Sequence, residues 1–122
     1  MMENSNVIVD KSMAFAIRIV NLYKYLKYEK KEYVLSQQVL RSGISIGANI
    51  KEAIQAQSKA DFRAKMYIAL KEASETEYWL VLLKETEFIT SEQSESILND
   101  CIELLKILTA ITKTSKDNSK NN

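Results

Sequence analysis

The sequence predicts an all-α protein, an antiparallel up-down-up-down four-helix bundle that assembles as a homo-oligomer. Across 122 residues there is no proline and there are only two glycines, so the usual punctuation of strands and tight turns is missing. Apolar residues make up 46% of the chain and recur at steps of three and four, the period of a helix with one buried face. The breaks between the periodic stretches are a few residues long, which makes consecutive helices lie antiparallel.

Helix one is expected over residues 10–31, with Asp10 as N-cap because its carboxylate can accept from the first free N–H groups. Its stripe is Phe15, Ile19, Leu22 and Leu26, and Lys24, Lys27, Lys30 and Lys31 load its last turns with the charge that suits a helix C-terminus. Helix two is expected over 33–57, with Leu35, Val39, Ile46, Ile50, Ala53 and Ile54 in one sector. Helix three, 58–86, opens on Ser58-Lys-Ala-Asp61, a capping box with Asp in place of Glu. It carries Phe62, Met66, Ala69, Leu70, Ala73, Leu80 and Leu83. Helix four, 91–114, follows Thr90-Ser-Glu-Gln93, a better capping box, and has Ile97, Cys101, Leu104, Leu108 and Ile111 at heptad spacing. Residues 1–9 read as a flexible N-terminus and 115–122 as a disordered tail, leaving one domain over 10–114.

Net charge is +1, which argues against a wholesale polyanion binder. Position matters more than the sum: residues 11–65 hold eleven Lys/Arg against four acids, and residues 66–122 hold six against ten. One cysteine cannot form an internal disulfide, and no apolar run is long enough for a signal peptide or a membrane span, so a cytoplasmic protein with no membrane partner is expected.

Three features exceed what a plain bundle needs. Helix three has a second apolar group, Ile68, Trp79 and Leu82, roughly opposite its core stripe, and reads as a self-association surface. Helix two holds both glycines, Gly43 and Gly47, on one side, where each costs about 1 kcal/mol relative to Ala and invites close approach of another helix. The same helix carries a lysine-free polar band of Gln38, Arg41, Ser42, Ser45, Asn49 and Glu52, suited to a helix–helix or subunit network in which Arg41 would pair with a carboxylate such as Glu75.

Folding up-down-up-down sets the lysines ending helix one beside Glu85, Glu87, Glu92 and Glu95, where the charges would offset one another. The opposite end gathers Lys51, Lys59, Arg63, Lys65 and Lys113, with Lys11, Lys106, Lys116 and Lys120. That end would offer RNA or DNA a basic surface for phosphates, without sequence readout. A scaffold that docks a different protein through the Trp79 face is the alternative.

Catalytic chemistry is sparse. Histidine is absent, and with it the commonest general base and metal ligand. Cys101 lies in the apolar stripe of helix four and reads as a small core hydrophobe. The best enzymatic candidate is Glu72-Ala-Ser-Glu75, two carboxylates one turn apart that would hold Mg²⁺ in a nucleotide phosphohydrolase. Ion pairing explains them more simply, so no enzyme activity, metal or cofactor is expected.

The run from Gln38 through Arg41-Ser-Gly-Ile-Ser-Ile-Gly-Ala-Asn49 to Ala53, followed by Ser58-Lys59, Phe62, Ile68-Ala-Leu70 and Glu75-Thr-Glu77, resembles the signature of the bacterial 23S rRNA intervening-sequence protein family. The resemblance spans roughly residues 12–110 and is densest from Gln38 to Leu83. Related proteins include the accessory variability determinant of diversity-generating retroelements, a basic, barrel-like pentamer that works with a reverse transcriptase and nucleic acid. The resemblance implies a homopentameric ring of bundles, with Arg41, Ser42, Ser45, Asn49 and Glu52 at the motif positions of helix two. It implies no reaction. The sequence departs from the pattern at Glu52-Ala53, where Glu-Gly is usual, and at Lys71-Glu72, where a Gly-Ser pair is common.

Overall fold

The computed structural model describes residues 2–121, with side chains described for residues 7–115. It contains four helices, α1 Met2–Lys24, α2 Leu35–Ile54, α3 Lys59–Glu85 and α4 Ser91–Asn121, and no strand among the described residues. A π turn, Tyr25–Glu29, prolongs α1. α1 packs on α2 and α4, and α3 packs on α2 and α4, which encloses one core.

The apolar stripes account for that core. Phe15, Ile19 and Leu26 of α1, Val39, Ile46, Ile50 and Ala53 of α2, and Met66, Ala69, Ala73, Leu80 and Leu83 of α3 are all buried. On α4 the heptad series Ile97, Cys101, Leu104, Leu108 and Ile111 is buried without exception. Small hydroxyl residues fill the remaining core positions. Thr112 turns its hydroxyl back to the Leu108 carbonyl, 2.9 Å, so a polar side chain is buried with its hydrogen bond made inside its own helix.

Helix starts follow the capping chemistry. Ser58 Oγ accepts from the Asp61 amide at 3.0 Å. At α4 the box is reciprocal: the Gln93 amide donates to Thr90 Oγ1 (3.1 Å) and the Thr90 amide to Gln93 Oε1 (2.8 Å). α2 starts at Leu35 rather than near Tyr33, and Glu32 Oε1 receives the Ser36 amide at 2.8 Å.

The outer boundaries differ from the expectation. α1 begins at Met2, ahead of Asp10, because Ile8 extends the apolar stripe by another turn and is fully buried. α4 runs to Asn121, past the expected end at 114, with Thr112 and Ser115 buried along it. Met1 and Asn122 lie outside the described residues. Two non-glycine residues with left-handed backbone end helices: Lys31 (φ 55°) after the π turn and Glu87 (φ 66°) after α3. At α3 the Phe88 amide reaches the Leu83 carbonyl (2.9 Å) and the Glu87 amide the Lys84 carbonyl (3.0 Å), the paired bonds of a Schellman ending.

Candidate functional site

Along the α2–α3 contact the polar band of α2 meets the acidic side of α3. Arg41 is the centre of it. Its Nη1 donates to Glu72 Oε2 at 3.3 Å, its Nη2 donates to Glu75 Oε2, and both Nε and Nη2 lie 3.4 Å from Gln38 Oε1. The guanidinium fork matches two acceptors at once, which a compact ammonium cannot do. Glu75 Oε2 also accepts from the indole Nε1 of Trp79, 2.9 Å. One arginine therefore bridges two carboxylates a turn apart and offsets one of their two charges, and Trp79 donates to the second.

The rest of the band is held locally. Ser45 Oγ donates to the Arg41 carbonyl (2.6 Å) and Asn49 Nδ2 to the Ser45 carbonyl (2.8 Å), each closing back one turn. Glu52 pairs with Lys65 of α3 at 3.1 Å. Ser42 is fully buried, its Oγ 2.8 Å from Thr76 Oγ1, which is also 2.8 Å from the Glu72 carbonyl. The sequence pattern placed Ser42 in the polar band at a helix–helix or subunit contact, and its position on the helix turns it into the core of its own bundle.

Other expected site residues are placed differently by the structure. Gly43 faces α1 of its own chain: a Cβ there would stand 2.7 Å from Ile19 Cγ2 and 2.8 Å from Cγ1. The close approach it permits is intramolecular. Gly47 also faces α1, at Ser12, and lines a small outer groove with Met13, Ala16, Ile44 and Ala48, about 190 Å³. Trp79 does not stand on a free second face. It is half-buried against the core, with its ring edge-on to Tyr78 at 5.1 Å. Leu82 is half-buried and Ile68 exposed. Ile68 shares a shallow groove of about 810 Å³ with Tyr67, Leu70, Tyr78 and Leu105, a surface that rests on α3 tyrosines absent from the sequence reading.

Of the basic residues, Lys51, Lys59 and Lys113 are exposed and Arg63 is half-buried; none of them forms an ion pair among the described residues. Lys65 is committed to Glu52, and Lys11 to Glu103 of α4 at 3.0 Å. The Lys116 and Lys120 side chains lie outside the described residues. At the other end Lys30 lines a cleft with Glu85 and Glu87, yet no ion pair forms there among the described residues. The lysines instead sit over tyrosine rings: Lys27 Nζ is 5.5 Å from Tyr23 and 5.6 Å from Tyr28, and Lys30 Nζ is 5.9 Å from Tyr25.

Glu72 and Glu75 face Arg41, and among the described residues no group of three or more His, Cys, Asp or Glu side chains gathers for a metal. Burial pushes the Cys101 thiol up from its ordinary 9.0 to about 12, with Glu77 adding to the shift. Such a thiol stays protonated and is a poor nucleophile. No helix among the described residues is long and apolar enough to cross a membrane.

No curated protein matches the chain. Among solved structures, a protein with unknown function from the S23 ribosomal protein family of Bacteroides thetaiotaomicron VPI-5482 is 64% identical. The likeness covers 90% of this chain and 98% of that one, with a TM-score of 0.89. The family model described as 23S rRNA-intervening sequence protein matches residues 4–110, a span that includes the whole Arg41 network. The four-helix chain built around that network belongs to the 23S rRNA-intervening sequence protein family.

Proposed function

We propose that this chain acts without catalysis, as an up-down-up-down bundle whose copies close into a homo-oligomeric ring. The pairings support the antiparallel order, because partners descend as positions rise: Gly43 meets Ile19 and Gly47 meets Ser12, while Arg41 meets Glu75 and Glu52 meets Lys65. The observation that carries the assembly is the pair of unlike apolar faces. Met13 (63% exposed), Ile17 (56%) and Ile44 (41%) lie on the α1–α2 side, and Tyr67 (43%), Tyr78 (62%) and Val81 (41%) lie on α3. The first face lines the groove between α1 and α2, and the second, with Leu105, the groove between α3 and α4. These are opposite sides of a bundle in which α1 packs on α2 and α4 and α3 packs on α2 and α4. One face of a copy against the unlike face of the next is a head-to-tail contact, and head-to-tail contacts form a ring when the rotation between copies closes and a filament when it does not. Five copies is the number suggested by the resemblance to the variability determinant. Multi-angle light scattering at micromolar concentration is expected to give a multiple of 14.0 kDa. A monomer at that concentration would sink the proposal, and Tyr78→Glu on one face should give monomers.

Such a ring would also align the free cations near the α2–α3 turn, Lys51, Lys59 and Arg63, with Lys113, as a phosphate-binding surface for RNA or DNA. Gel-shift titration against structured RNA should show affinity falling steeply with salt and lost in Lys59→Gln/Arg63→Gln. Binding that ignores salt would favour the protein-scaffold alternative.

A further inference from the structure

The region around the π turn holds four of the six tyrosines, Tyr23, Tyr25, Tyr28 and Tyr33, interleaved with Lys24, Lys27, Lys30 and Lys31. The two inner rings are used by the fold: Tyr25 packs on the core, and the Tyr23 hydroxyl accepts from Gln37 Nε2 at 3.1 Å. The two outer rings are exposed, Tyr28 at 60% and Tyr33 at 58%. Lys27 Nζ is held between Tyr23 and Tyr28. The Tyr23 hydroxyl beside it, through its hydrogen bond, raises the Lys27 pKa, so the cation is secure at neutral pH. None of the four lysines forms an ion pair among the described residues. Opposing them within this stretch are two glutamates, Glu29 and Glu32, the latter accepting from the Ser36 amide, so lysines outnumber acids four to two. Glu85 and Glu87 lie across the cleft beside Lys30.

We infer that this end of the bundle is a binding site for single-stranded nucleic acid, in which unpaired bases stack on Tyr28 and Tyr33 while Lys24, Lys27 and Lys31 take the flanking phosphates. Exposed rings separated by one or two cationic side chains suit a strand whose bases can splay out and whose phosphates follow at short intervals. A duplex hides its base faces and offers such rings nothing. A lipid surface would call for several aliphatic or Trp side chains at the rim, whereas Val34 is the exposed aliphatic residue here. The π turn is a departure from regular helix of the kind that recurs at functional sites. This site is at the end of α1, apart from the α2–α3 turn, and does not depend on ring formation.

The test is fluorescence anisotropy of the full chain with a labelled single-stranded RNA oligonucleotide, with the same sequence as duplex and with poly-glutamate as competitors. Tyr28→Ala/Tyr33→Ala should weaken binding on the order of tenfold or more while leaving the salt slope unchanged, because no charge is removed. Lys27→Gln should flatten the slope of log affinity against log salt by about 0.7, the value for one single-strand phosphate contact. Tyr28→Trp should retain binding. Both tyrosines are exposed, so circular dichroism should show these variants folded as the parent. Unchanged affinity in the tyrosine double variant overturns the inference. So does equal competition by duplex or by poly-glutamate, or a loss seen with Lys59→Gln/Arg63→Gln and with no change at the π turn.

Discussion

Gly43→Ala and Gly47→Ala are the same change four residues apart on one side of α2, and the structure predicts opposite signs for them. In a helix interior, Gly to Ala alone stabilises by about 1 kcal/mol. At Gly47 the new methyl would stand 3.5 Å from Ser12 Oγ, ordinary contact, so Gly47→Ala should raise stability by about 0.5–1 kcal/mol. At Gly43 the methyl would stand 2.7 and 2.8 Å from the two γ carbons of Ile19 and 3.2 Å from its Cβ. Ile19 is fully buried and β-branched, so it cannot swing aside, and relief requires α1 to back away from α2. Overpacking of this kind costs about 1–3 kcal/mol, and subtracting the propensity gain of about 1 kcal/mol leaves a net loss of up to about 2 kcal/mol, near 4 °C of melting temperature per kcal/mol. Urea unfolding followed by the single Trp79, at one fixed protein concentration, measures both variants. In an Ile19→Ala background the two γ carbons are gone and the Cβ at 3.2 Å is left, so Gly43→Ala should lose most of its cost, a coupling that a double-mutant cycle reads directly. Equal shifts of the same sign at Gly43 and Gly47, or the absence of that coupling, would refute the reasoning.

Arg41→Ala leaves Glu72 and Glu75 repelling each other one turn apart. Arg41 is half exposed, so the expected loss is about 1 kcal/mol, smaller at high salt and not restored by Arg41→Lys. Glu87→Gly puts glycine at φ 66° and should stabilise the end of α3 by about 1 kcal/mol, seen as a higher melting temperature. The thiol of Cys101 ionises near its ordinary 9.0 when unfolded and only at about 12 when folded. Unfolding therefore releases a proton in that window, and native stability should fall as pH rises from 9 toward 12, with the slope reduced in Cys101→Ala. A thiol reagent should label native Cys101 at pH 8 no faster than the protein opens, and rapid labelling would contradict its burial.

The helices were legible because apolar side chains report their own direction. Ile97, Cys101, Leu104, Leu108 and Ile111 recur at a fixed interval, and every one is buried. What escaped has no such signature. Glycine carries no side chain to report a direction, so Gly43 could be placed on a face but not assigned a neighbour. Buried Ser36, Thr76 and Thr112 read as surface in any hydropathy pattern, because a hydroxyl that bonds one turn back is apolar to everything else, and buried Ser42 reads so because its partner is on another helix. Asp10 looked like a helix start on local chemistry, while the stripe through Ile8 carries α1 further back. The π turn contains no glycine or proline to mark a break in the helix. At the candidate site charge type offered Arg41 a carboxylate such as Glu75 without identifying its partner, and the pairing with both Glu75 and Glu72 needed the crossing of α2 and α3.

The buried hydroxyl pair of Ser42 and Thr76 sets the height at which α2 stands against α3. Sliding one helix past the other by a turn, about 5.4 Å, would part the two hydroxyls and cost about 1–3 kcal/mol for buried Ser42 left unpaired, while Thr76 keeps its bond to the Glu72 carbonyl. The pair acts as an indexing pin between two otherwise greasy cylinders. Any surface composed from both helices, the Arg41 clamp included, is thereby cut to the same dimensions in every copy of the chain, as interchangeable parts require.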